Sequence, residues 1–257
     1  MTTLLYPSAQ NVDFSRDQLE QLPTPTPLGR FHNPYPFAAY VDDIHHALSL
    51  EGIEVLHEEY VTSHENQRLF GALEVAIEGE FIAKGEAGHK YIVGLRGAHD
   101  QSIQRGICLG TQVMVCSNLC FNGNLGNLAT KQTTNVGARI PGLVREAVHL
   151  LPEYTQANER RFEIYKESQL TPDHVNSILI NLLRQGAISA PQLAKALVEW
   201  DTPSHEEHAE HGASVWRLFN ACTEALKPGG ANFNPHLLAD RSAAIVGYID
   251  STLAIAA

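Results

Sequence analysis

Apolar residues recur along this chain with two different periods, and the changes between them mark its elements. From 38 to 51, Val41, Ile44, Ala47 and Leu48 recur at helical spacing, and Gly52 stands where a left-handed cap would end the element. A helix is predicted there. The period then shortens to two. Ile53, Val55 and His57 alternate with Glu54, Leu56 and Glu58, and Leu69, Gly71, Leu73, Val75 and Ile77 alternate with Phe70, Ala72, Glu74 and Ala76. Two strands joined by the polar segment SHENQ are expected. YIVGL, from Tyr91 to Leu95, reads as a third strand, and TQVMVCSN from Thr111 as a fourth. Between them, AHDQSIQRGICLG has room for one short helix from about Ser102, weakened by Gly106 and ended by Gly110. FNGNLGNL from Phe121 is rich in Gly and Asn and reads as a turn or loop.

Beyond Pro141 the period is helical almost throughout. Leu143, Val144, Ala147, Val148 and Leu151 form one stripe, which Pro152 should kink or break. Thr171 and Pro172 have N-cap and first-turn chemistry ahead of Val175, Ile178, Leu179 and Leu182, and Gly186 ends that pattern. Ser189 and Gln192 show capping-box spacing ahead of Leu193, Ala196, Leu197 and Trp200. Two more helices are expected around Ser214 to Leu226 and Leu237 to Ile255, separated by the breaker KPGG.

The first 36 residues differ from both halves, because they hold six of the thirteen prolines, including the PTPTP run that favours extended backbone. Ser15 and Gln18 have capping-box spacing, so a short helix carrying Leu19 and Leu22 interrupts the arm. The chain therefore divides into a proline-rich arm (1–36), an α+β core (37–140) and a helical region (141–257). The expected fold class is α+β: a small, mostly antiparallel sheet with flanking helices, followed by a helical C-terminal half. The arm's apolar residues Leu19, Leu22, Phe31, Tyr35 and Phe37 need a surface to cover, either on this chain or on a second copy. A homo-oligomer is the expectation, with the arm as its assembly element.

Composition narrows the class without changing this outline. Over 257 residues, 44% hydrophobic and 18% charged is ordinary for a folded domain and excludes a disordered tail or a charge-solvated rod. With no run of about 18 apolar residues and no basic start leading into an apolar block, neither a membrane span nor a secretory signal is supported. A cytoplasmic protein with no membrane partner is expected, resident in a host cell if the resemblance below holds. The cysteines, Cys108, Cys116, Cys120 and Cys222, fit neither a disulfide framework nor a zinc ribbon and read as reduced core residues. The net charge is -11, but it is unevenly placed. Residues 54 to 80 carry seven acids against Arg68 alone, whereas 84 to 145 carry seven bases against Glu86 and Asp100.

The stretch GLRGAHDQSIQRGICLGTQVMVCSNLCFNGN resembles a family of uncharacterised phage, prophage and plasmid proteins. Gly94, Leu95, Arg96, His99, Asp100 and Ser102 fit the first half of the family hallmark. Val113, Val115, Cys116, Asn118, Leu119, Phe121 and Gly123 fit the second, and Ala98 stands where the family usually has serine. SVWRLFNACTEALKPGG and DRSAAIVGYID resemble later family blocks with less specificity. The resemblance implies a mobile-element origin and carries over no catalytic residue.

Chemistry is sparse. Arg96, His99 and Asp100 hold a base and a carboxylate, but adjacent residues on an extended chain point to opposite faces, so a structural turn in which Asp100 caps a short helix is the preferred reading. GxGxxG, Walker A and G-x-S-x-G motifs are absent. His205, His208 and His211 lack the i, i+4 spacing of a zinc helix and read as a solvated acidic loop. No catalytic residue, metal or cofactor is assigned. The basic segment is more informative. Lys90, Arg96, Arg105, Lys131, Arg139 and Arg145 meet few acids, and Tyr91 and Phe121 offer stacking faces, a combination suited to single-stranded nucleic acid. The expected function is a non-catalytic mobile-element accessory protein binding such strands. The alternative is an inhibitor that binds a host protein, with the acidic stretches 54–80 and 201–211 as its working face.

Overall fold

The computed structural model describes residues 4–5, 12–77, 89–113, 119–122, 128–131, 135–227 and 235–253. The alternating segments form the sheet that the period-two pattern predicts. Strands β1 (Val12–Phe14), β2 (Ile53–Ser63), β3 (Arg68–Ile77), β4 (His89–Ala98), β5 (Arg105–Val113), β6 (Leu119–Asn122) and β7 (Leu128–Thr130) pair antiparallel throughout. Their order is β1-β2-β3-β4-β5-β6, and β7 pairs with the start of β5 on the edge whose other half takes β6. SHENQ makes the β2–β3 turn, where His64, Glu65 and Asn66 all take positive φ.

Both faces of the sheet are covered. Leu69, Leu73, Tyr91, Val93, Leu95 and Ile107 pack under α2 (Phe37–Leu50) and α3 (Val136–His149). The intervening residues Phe70, Ala72, Ile92 and Cys108 enter a second core built with the C-terminal helices. Those helices are α4 (Leu151–Glu167), α5 (Pro172–Arg184), α6 (Ala190–Asp201), α7 (Val215–Leu226) and α8 (Pro235–Leu253). The fold is α+β, with a helical C-terminal half. Period two makes this possible: a strand with apolar residues at successive positions must bury both faces. Among the described residues, no helix is long and apolar enough to cross a membrane.

The caps fall where the sequence places them. Gly52 takes φ 69° after α2. Thr171 and Ser214 cap α5 and α7 through their side chains, and Ser189 with Gln192 forms the capping box of α6. Pro152 sits in the first turn of α4, so the stripe breaks at Leu150 rather than bending. Pro141 lies inside α3, which runs through the boundary drawn at residue 140. KPGG beyond Lys227, and Gly123 to Asn127 of FNGNLGNL, lie outside the described residues.

One expectation is corrected. No helix forms at Ser102, and the fourth strand begins at Arg105 rather than Thr111, with Gly106 and Gly110 both paired within it. Of the arm's two open destinations, the structure shows its own chain. Strand β1 extends β2, α1 (Arg16–Glu20) starts on the Ser15/Gln18 capping box, and Leu19 is buried in the α2 core with Phe37, with Leu22 and Tyr35 packed against it. Phe31, Leu28 and Val12 are the exceptions among the arm's described large apolar residues, 70%, 67% and 55% exposed.

Candidate functional site

The segment from Gly94 to Arg105 ends β4, turns and enters β5. Its turn is built on Asp100, whose carboxylate accepts hydrogen bonds from the Ser102 N–H and hydroxyl and from Arg68 Nε, the last at 2.8 Å. Burial works against this carboxylate, but the bonds from Ser102 and the Arg68 guanidinium outweigh it and hold its pKa below 3.8. Gln101, at the tip, takes φ 62°, a left-handed conformation that a side-chain-bearing residue adopts only when its surroundings hold it. His99 is buried, stacks on Phe37 with ring centroids 4.0 Å apart, and donates its backbone N–H to Gln67. The geometry shows the turn fixed by Asp100, but the short helix that Asp100 was expected to cap does not form. His99 packs into the core beside the turn, and Asp100 is committed to Ser102 and Arg68.

The turn forms one wall of an open concavity of about 620 Å³. Gln101, Ser102, Ile103 and Gln104 line that wall, the arm segment Leu28–His32 faces it, and Lys131 closes one side just after β7. The Arg30 guanidinium lies 5.5 Å from the Phe31 ring centroid. His32 is nearly buried; its Nδ1 accepts from the Leu28 N–H at 3.0 Å, while its Nε2 has no hydrogen-bond partner. Two cations, an exposed aromatic ring and side-chain amides thus meet where the arm crosses the hallmark loop. The sequence reading treated Phe31 only as an apolar anchor and passed over Arg30 and His32. Their signal was an Arg-Phe-His run inside a proline-rich arm, where neither a helix nor a strand stripe accounts for an aromatic residue.

The six bases of the sequence-predicted site separate into two groups. Lys131, Arg139 and Arg145 are exposed, the last two on α3. Lys90 is paired with Glu74 at 2.7 Å, and Arg96 reaches from β4 to Asp240 of α8 at 2.9 Å. Arg105 is wholly enclosed, so it cannot track a phosphate. Its guanidinium lies 5.8, 5.0 and 5.0 Å from the ring centroids of Tyr35, Phe37 and Tyr40, and it donates to the Tyr35 carbonyl. Burial lowers its pKa to about 10. Gly97 opposite leaves room for it, since a Cβ there would come within 2.7 Å of Arg105 Cγ. Tyr91 is also corrected: its ring is in the core and its hydroxyl donates to the Thr155 carbonyl, so it offers no stacking face. The side chain of Phe121 lies outside the described residues.

The acidic stretch of β2 and β3 is largely engaged within the protein. Glu58 meets His45 at 2.7 Å and the Tyr60 hydroxyl at 3.0 Å, Glu59 meets His57, and Glu74 holds Lys90. The His45 contact, reinforced by Tyr60, lowers the Glu58 pKa despite burial. His205 and His208 stack edge to face at 5.2 Å, and His208 is buried, its pKa lowered by burial and then by His205. Cys108 and Cys222 are buried free thiols that burial pushes up to about 12.

No protein-family model matches the chain, and neither a curated protein nor a solved structure matches it.

Proposed function

We propose that the chain is an accessory protein of a mobile element that binds single-stranded nucleic acid. The observation that carries this reading is the meeting of Arg30, Phe31 and Lys131 at the hallmark loop, with Arg139 and Arg145 following on α3. Phosphates need cations free of internal partners, and bases need an accessible aromatic face. Lys131, Arg139 and Arg145 lie exposed to solvent, and Phe31 is the exposed ring. The mobile-element origin rests on the resemblance carried by Gly94 to Gly123.

A gel shift with a single-stranded oligonucleotide at several salt concentrations tests it. Replacing Lys131 and Arg139 together by Ala should weaken binding and reduce the slope of log affinity against log salt by about 1.4, since each single-strand phosphate contact contributes about 0.7. An unchanged slope, or no binding by the parent protein, would remove the proposal.

A further inference from the structure

We propose that the concavity between the arm and the hallmark loop seats one nucleotide of the bound strand, with its base on Phe31 and its phosphate between Arg30 and Lys131. This rests on the reading above and specifies how the strand is held. The volume of about 620 Å³ falls in the range of small-molecule sites, about 300–1,000 Å³, and suits one nucleotide rather than a duplex. The walls divide by chemistry as a nucleotide does. Phe31, 70% exposed, presents an open ring, and Ile103 adds an apolar flank. Gln101 and Gln104 each carry both a donor and an acceptor, the complement of a base edge. Arg30 and Lys131 supply the positive charge that a phosphodiester requires.

Two features show a built site rather than a surface dent. Gln101 is held in a left-handed conformation by the Asp100 turn, which fixes where its side chain starts. His32 lines the same concavity, and its Nδ1 accepts from Leu28, so in the neutral ring the proton is on Nε2. That Nε2 has no partner within the protein. A buried donor left without an acceptor is costly, and a ligand oxygen that reached it from the concavity would relieve it.

Calorimetric titration with thymidine 5′-monophosphate, thymidine and inorganic phosphate separately, alongside anisotropy with a labelled single-stranded oligonucleotide, tests the seat. The monophosphate should bind saturably, more tightly than thymidine or phosphate alone, and the oligonucleotide should displace it. Phe31→Ala and Lys131→Ala should each weaken monophosphate binding about tenfold while leaving thermal unfolding unchanged, because both side chains are exposed. Phosphate binding as tightly as the monophosphate would reduce the concavity to a generic anion site and overturn the inference. So would monophosphate binding that a saturating oligonucleotide leaves undisturbed. Strand binding without monophosphate binding overturns the seat and leaves the proposed function standing, whereas loss of both sinks the two together.

Discussion

Asp100 and Arg105 lie five residues apart and solve opposite electrostatic problems. Asp100 has more donors than its charge needs, so its pKa falls. Its contribution to stability is complete above the ordinary 3.8 and is lost as pH falls through the lower folded-state value. Asp100→Ala should therefore cost about 1 kcal/mol near neutral pH, with the gap from the parent closing in acid, as urea midpoints across pH would show. Among the described residues no carboxylate pairs with Arg105, and burial lowers its pKa to about 10. Its folded-state charge is a net cost below about 10 that fades as pH rises above that value. Replacing it by Met, which fills the aromatic cage without a charge, should stay within about 1.5 kcal/mol of the parent, whereas Ala should lose about 3 kcal/mol. Melting curves near about pH 9 and about pH 11 check the sign: the parent should gain on Arg105→Met at the higher value.

Elements announce themselves in sequence when their buried positions are apolar and their ends carry caps. Helix α2, strands β2 and β3 and the caps at Ser15, Thr171 and Ser189 were legible for that reason. Helix α4 was not, although its buried residues Leu151, Tyr154, Thr155, Asn158, Arg161, Phe162 and Tyr165 keep helical spacing, because Thr155, Asn158 and Arg161 break the apolar period. The candidate site was half legible. Charge density pointed to the basic segment, but nothing local distinguishes the enclosed Arg105 from the exposed Lys131, since that depends on which ring or carboxylate arrives from α2, β3 or α8. The arm's destination was equally hidden, being a contact between α1 and α2. With Leu19 1% exposed there, Leu19→Ala should lower stability by about 2–3 kcal/mol in chemical denaturation. Unchanged stability would mean the arm is only loosely held.

At the scale of the whole molecule, helical layers cover both faces of one sheet, and within the C-terminal layer a buried polar link ties α4 to α8. Arg161 of α4 donates to Asp250 of α8 at 2.9 Å, Tyr165 donates to the same carboxylate at 2.7 Å, and Asn158 accepts from the Arg161 guanidinium. Both charged side chains are nearly enclosed, 3% and 5% exposed. Breaking one side leaves a charge with no counterpart in a poorly polarisable interior, so Asp250→Ala should cost about 3–5 kcal/mol. A double-mutant cycle with Arg161→Met should recover part of that loss, and additive losses would show that the pair is not coupled. The layered sheet has a further consequence, in time rather than energy. Strand β4 is paired on both sides and covered on both faces, so its central amides, from Ile92 to Leu95, reach solvent only when the whole domain opens. Strand β1 is a three-residue edge, and among the described residues one side of it faces no strand. In deuterium its amides should exchange through brief local openings, orders of magnitude sooner than those of β4, so that the arm breathes while the centre of the sheet keeps the protein's slowest clock.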